Sequence, residues 1–338
     1  MSLDEELGQM IQVSFYGYST IQPWMLAEIS RDHIGSVILY AANLQSAQSA
    51  RQWTSALQAQ AKVPLLLGTD EEGGTVNRLD GIDGYLPSAA AVAARADPNY
   101  ARQVGQQFAS DMHSLGMNSD YAPVVDVDSG VGAAGGELGG RMFGSTSQQV
   151  TTLAGAFLFG LQQDNHVVGC LKHFPGLGDV GSDPHHSLFV LNRSLADLQR
   201  IDWAPYRALI SSGQVGMIMS THVVLAAVDP SRPATLSRLV ITGILRDQLH
   251  YNGVIITDGV YMLQQQGTYS YDQSILYAVQ AGNDIVSAAY DAVHADEALT
   301  VLHHAVVSGA ISKQQIDDSV RRILLLKLRY GILQPAHA

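Results

Sequence analysis

The stretch Val167-Val-Gly-Cys-Leu-Lys-His173 decides how this chain folds. Five apolar or small residues run together without polar alternation, and two ionisable side chains follow at once. A strand with one wet face alternates; a strand covered on both faces does not. The same shape recurs along the chain. Val63–Thr69 precedes Asp70-Glu71-Glu72-Gly73-Gly74, Tyr121–Val125 precedes Asp126 and Asp128, Gly216–Thr221 precedes His222, and Gly253–Thr257 precedes Asp258. Gly35–Tyr40 and Asn283–Val286 add two further strand-like runs.

Amphipathic segments separate these runs. Helices are predicted over 44–61, 98–115 behind an Asp97 cap with Pro98 in the first turn, 148–163, 194–211 behind a Ser194/Asp197 box, and 238–250. Two more follow the last strand, the second opening at Ser312 with Gln315 and ending near Tyr330. Seven or eight strand–helix units in 338 residues predict an α/β fold, a (β/α)8 TIM-type barrel forming a single domain over 1–338. A doubly wound sheet is the alternative.

Composition narrows the function. Nineteen Lys and Arg against 31 Asp and Glu leave a formal charge of −12, and no basic cluster acts locally, so nucleic acid is not an expected partner. One cysteine, Cys170, rules out an internal disulfide and any cysteine-based zinc or iron–sulfur site. No run approaches the roughly 20 apolar residues of a membrane span, and no signal-peptide pattern opens the chain. The expected protein is a monomer, cytoplasmic as written or exported if a leader was removed.

In a parallel barrel, chemistry collects where strands end. The densest polar stretch is Lys172-His-Phe-Pro-Gly-Leu-Gly-Asp-Val-Gly-Ser-Asp-Pro-His-His186. His173, Asp179, Asp183, His185 and His186 could ligate zinc or iron, which leaves a metal-dependent barrel hydrolase as an alternative. The spacing matches no helical HExxH pair, and Lys172 would set a cation beside the metal. Acid/base work fits better. An Asp near a His can hold one ring nitrogen and leave the other to move protons. No metal and no cofactor are expected.

These residues resemble glycoside hydrolase family 3, in its β-N-acetylglucosaminidase branch. Asp70-Glu-Glu-Gly-Gly-Thr-Val-Asn-Arg78 is similar to the family's Asp-x-Glu-Gly-Gly-x-Val-x-Arg segment, Tyr121-Ala-Pro-Val-Val-Asp-Val127 to its Phe-Ala-Pro-Val-x-Asp-Val strand, and Arg141-Met-Phe-Gly144 to Arg-Ser-Phe-Gly. Lys172-His-Phe-Pro-Gly-Leu-Gly178 with Asp183-Pro-His185 resembles the loop that marks the branch; Pro233–Ser237 and Gly253–Asp258 resemble the segment leading to the nucleophile. The resemblance implies exo-hydrolysis, with retention, of terminal β-linked N-acetylglucosamine from cell-wall or chitin-derived fragments, a small carbohydrate substrate. A β-glucosidase-like specificity is the alternative within the family.

By the same resemblance, Asp258 is the nucleophile, and Gly259 leaves room for the sugar. His185 is the general acid/base with Asp183 as its partner. Asp70, Arg78, Asp126, Arg141, Lys172, His173 and His222 are expected to bind substrate, with Arg141 and Lys172 also keeping Asp258 ionised. Two-domain β-glucosidases of the family take a glutamate acid/base from a following domain. This chain ends eight residues after Tyr330, so the expectation falls on the loop histidine. Where the family has Asp-Ser-His or Asp-Thr-His, this chain has Pro184 in the middle, which leaves His186 as an alternative to His185.

Overall fold

Parallel strands built from the apolar runs form the inner wall of the computed structural model, which describes residues 1–130, 138–163, 167–179, 189–289 and 292–334. In chain order they are β1 (Ile11–Ser14), β2 (Ser36–Ile38), β3 (Leu66–Thr69), β4 (Ser119–Asp120), β5 (Val168–Phe174), β6 (Met217–Ser220), β7 (Val254–Thr257) and β8 (Val286–Ala289). The hydrogen-bonded order is β8-β1-β2-β3-β4-β5-β6-β7, and every pairing is parallel. A parallel bridge between Ile256 and Ile285 joins β7 to the chain entering β8. The Ile285 N–H donates to Ile255 O and the Thr257 N–H to Ile285 O, each at 3.0 Å, which completes the ring. This is the (β/α)8 TIM-type barrel that the sequence predicts.

Helices cover the outside, so β5 is buried at all seven positions, as its unbroken apolar run requires. The predicted starts are made by the predicted caps. Asp97 Oδ1 accepts from the Asn99 N–H at 2.9 Å, Ser194 Oγ from Asp197 at 3.1 Å, and Ser312 Oγ from Gln315 at 3.2 Å.

The structure departs from these expectations at four elements. The sequence reading has no strand at β1, because Gln12 interrupts it. Gln12 points into the barrel, where its Nε2 donates to Ser36 Oγ at 3.0 Å and to the Tyr121 hydroxyl, so the polar residue belongs to a buried network. The regular strand lies just before the expected one, at Ser119–Asp120, and of 121–125 Val124 joins the sheet as a lone bridge to Lys172. The last strand starts three residues late, at Val286, and the Asn283 and Asp284 side chains before it are held by several partners. Arg246 and Arg322 grip Asp284 at 2.6 and 2.9 Å, and Asn283 Nδ2 donates to Thr235 O at 2.9 Å. The helix Tyr271–Ala281 was also not predicted, although Ser270 and Gln273 form its capping box.

Lys327, on the helix Lys313–Arg329, is fully buried, with its ammonium donating to Gln9 Oε1 at 2.8 Å and Gly35 O at 3.0 Å. Among the described residues it meets no carboxylate, and burial pulls its pKa down to about 7. A lysine depressed by folding costs stability where it must stay charged, and the cost lifts as pH rises from the folded toward the unfolded value. The stability of the wild type relative to Lys327→Met is therefore expected to climb between pH 7 and 10, by at most about 1.4 kcal/mol per pH unit. Urea unfolding of both proteins across that range checks the slope, and a parallel pair of curves would contradict it.

Candidate active site

The loop after β3 shows how adjacent acids take opposite jobs. Gly73 and Gly74 both have left-handed backbones, φ +71° and +61°, and a Cβ on Gly73 would lie 2.2 Å from Pro87 O. Glu71 turns inward under this loop. Its carboxylate accepts from the N–H groups of Arg78 at 2.7 Å, Leu79 at 3.0 Å and Gly73 at 3.2 Å. Burial pushes Glu71 up to about 7, and those donors pull against it. Asp70 and Glu72 instead line a cavity of about 160 Å³ at the C-terminal mouth of the barrel.

Lys172, at the end of β5, is 2% exposed and reaches both acids. Its Nζ lies 2.6 Å from Asp70 Oδ1 and 2.6 Å from Glu72 Oε1. Arg141 completes the group with a two-pronged contact to Glu72, 2.6 Å from Nε and 2.9 Å from Nη2. Burial alone would raise Glu72, but the Lys172 and Arg141 charges outweigh it and hold its carboxyl far below the ordinary range. Burial likewise opposes the charge on Lys172, and Asp70 and Glu72 hold its pKa above the usual lysine value. The structure pairs these cations with Glu72 and Asp70.

His173 follows and is held from behind. Its Nδ1 lies 2.8 Å from Asp126 Oδ2, and its Nε2 lies 3.4 Å from Arg141 Nη2. A guanidinium can only donate, so Nε2 accepts and the ring hydrogen sits on Nδ1, aimed at Asp126. Asp126 also accepts from the Leu177 N–H at 2.8 Å, which ties the start of the following loop. Asp126 is not among the residues that line the cavity and holds His173 from behind. Asp126→Asn is expected to lower kcat roughly 10- to 100-fold, as lost orienting carboxylates do behind metal-bound imidazoles. Steady-state kinetics beside a melting curve would check this, and an unchanged kcat would contradict it.

Asp258 follows β7 directly and faces the same cavity. Its Oδ1 accepts from the Gly259 N–H at 2.8 Å and its Oδ2 from Thr221 Oγ1 at 3.2 Å. His222 does not reach the cavity. It is 2% exposed, with Nδ1 3.1 Å from Thr235 Oγ1 and Nε2 3.0 Å from Gly259 O, so it braces the backbone beside Asp258. Gly259 lines the cavity as well, and a Cβ there would stand 2.4 Å from the Tyr261 ring.

Six of the expected residues therefore share one cavity: Asp70, Arg78, Arg141, Lys172, His173 and Asp258. Arg78 Nε is buried without a hydrogen-bond partner among the described residues. Asp183, Pro184, His185 and His186 lie outside the described residues. The flanks of that segment are anchored. Ser129 Oγ donates to Gly178 O at 2.8 Å, Arg193 bridges Asp179 and Asp202 at 3.0 Å each, and Phe189–Leu191 pairs in parallel with Val223–Leu225. Glu72 is not among the expected site residues, although it pairs with two that are, Arg141 and Lys172. Among the described residues no group of three or more His, Cys, Asp or Glu is placed to hold a metal ion.

Comparison with known proteins agrees with this geometry. Residues 2–326 match the model of the glycosyl hydrolase family 3 N-terminal domain. A β-hexosaminidase of Nitrosomonas eutropha is 33% identical over 283 residues, 81% of this chain and 79% of that protein. A β-hexosaminidase of Pseudomonas aeruginosa is 32% identical over 84% of this chain and 85% of its own. Among solved structures, the family 3 β-N-acetylglucosaminidase from Paenibacillus sp. str. FPU-7 superposes with a TM-score of 0.93 at 34% identity, covering 100% of this chain and 64% of that one. The β-N-acetylhexosaminidase from Beutenbergia cavernae superposes at 0.86 with 29% identity, covering 98% and 99%. The family model spans nearly the whole chain and the two β-hexosaminidases are 33% and 32% identical over most of it, so the chain is a glycoside hydrolase belonging to glycosyl hydrolase family 3.

Proposed function

We propose that the protein is a retaining exo-β-N-acetylglucosaminidase that removes terminal β-linked N-acetylglucosamine from cell-wall or chitin-derived fragments, working as a single-domain monomer. The observation that carries this reading is Asp258, held by two donors and facing the cavity that also contains Asp70, Lys172, Arg141 and His173. A cavity of about 160 Å³ lies below the ~300 Å³ at which drug-sized sites begin, which suits one terminal sugar ring. The relatives named β-hexosaminidase support the choice of sugar.

In this reading an Asp258 oxygen attacks the anomeric carbon while the leaving oxygen takes a proton from His185, oriented by Asp183. The sugar becomes an ester of Asp258. Water, losing its proton to the same histidine, then attacks the anomeric carbon and releases Asp258, so configuration is retained. Asp70, Lys172, His173, Arg78 and Arg141 bind the sugar's hydroxyl and acetamido groups. A chromogenic β-N-acetylglucosaminide set against the matching β-glucoside tests the reading. Faster release from the former is expected. An inert enzyme, or preference for the glucoside, overturns it.

A further inference from the structure

The loops after β1 and β2 carry an aromatic ledge at the cavity mouth. Tyr40 lines the cavity, and the Arg78 guanidinium lies 5.9 Å from its ring centroid. Tyr16 meets Tyr40 edge to face, 5.3 Å between centroids at 81°, and is 59% exposed. The pair runs from the cavity wall to solvent without a break.

Both loops are fixed by one buried amide. Asn43 Oδ1 accepts from the Tyr40 N–H at 2.8 Å, while its Nδ2 donates to Phe15 O at 3.0 Å and Tyr18 O at 2.7 Å. Below them Phe15 packs between Trp24 and Trp53, 5.8 and 5.9 Å from their rings. A lone exposed tyrosine needs no explanation. Two rings continuous with a cavity and locked by a 0%-exposed asparagine form a preorganised surface.

We infer that Tyr16 and Tyr40 form the platform on which the sugar on the far side of the cleaved bond stacks, with Tyr16 as the specificity-determining residue for that ring. The inference rests on the function proposed above and assigns residues to its leaving sugar. The polar wall of the cavity suits the hydroxyls of the first ring. The second ring must leave through the mouth. A β-linked gluco-configured ring carries its hydroxyls equatorially and its C–H bonds axially, so each face is apolar and fits an aromatic ring.

The test compares kcat/KM for N,N′-diacetylchitobiose with kcat/KM for methyl β-N-acetylglucosaminide, in wild type, Tyr16→Ala and Tyr16→Phe. The ratio does not depend on how much of each variant folds. Tyr16→Ala is expected to lower the ratio about 5- to 10-fold, the worth of one ring contact, and Tyr16→Phe to keep it. A ratio unmoved by Tyr16→Ala in an enzyme active on both glycosides overturns the ledge alone. A wild type inert toward both overturns the substrate reading, and the ledge with it.

Discussion

Asp258→Asn is expected to lower kcat/KM by a factor on the order of 10³ to 10⁶, the range seen when a covalent nucleophile is removed. The substitution keeps the shape of the side chain and the anchor points at Gly259 N and Thr221 Oγ1. What it removes is the anionic oxygen that bonds to the anomeric carbon. The melting temperature should change little, because asparagine can keep both contacts, accepting from the Gly259 N–H and donating to Thr221 Oγ1. Adding azide to Asp258→Gly should restore turnover with an α-glycosyl azide as product, since the small anion can enter where the carboxylate stood. A Asp258→Asn enzyme as active as wild type would sink the assignment.

Glu72→Gln carries the largest expected effect on stability, about 3–5 kcal/mol, because it strips a buried anion from between two buried cations. Arg141 is 9% exposed and Lys172 2%. Lys172 keeps Asp70, but Arg141 loses its two short contacts to the Glu72 charge. The pH dependence gives a second check. Glu72 is held far below its unfolded value near 4.5, so its contribution is complete above that pH. As the medium becomes more acid, the wild type loses it only on falling through the depressed folded value. The stability gap between wild type and Glu72→Gln should therefore stay flat from pH 5 to 8 and close only below about 4.5. Urea unfolding at several pH values measures it, and a gap under 1 kcal/mol at pH 7 would contradict the role given to Glu72.

The parts legible in the sequence were those with one physical reading. An unbroken apolar run ending in a charged residue fits a barrel strand whose end lies at the mouth, and Lys172 and Asp258 are found this way. Asp126 and His222 sit at the same kind of strand end, yet each turns back into the wall. Sequence spacing places a residue at the mouth but does not choose between facing the cavity and bracing a neighbour. His222 braces Gly259 and Asp126 braces His173, choices made by contacts between loops far apart in the chain. Glu72 was hidden by its neighbours. Three consecutive acids invite one assignment, and only the left-handed turn at Gly73 and Gly74 sorts Asp70 and Glu72 from Glu71. Strand β1 escaped because a barrel interior can bury a glutamine that an ordinary sheet core would reject.

The covalent chemistry of Asp258 is the central claim, and mass spectrometry tests it most directly. An activated, ring-fluorinated N-acetylglucosaminide should inactivate the enzyme by slowing release of the ester. Peptide mapping should then place one sugar on Asp258. An enzyme that turns the reagent over or is inhibited by it with no covalent adduct, or an adduct mapped to another residue, would contradict the account.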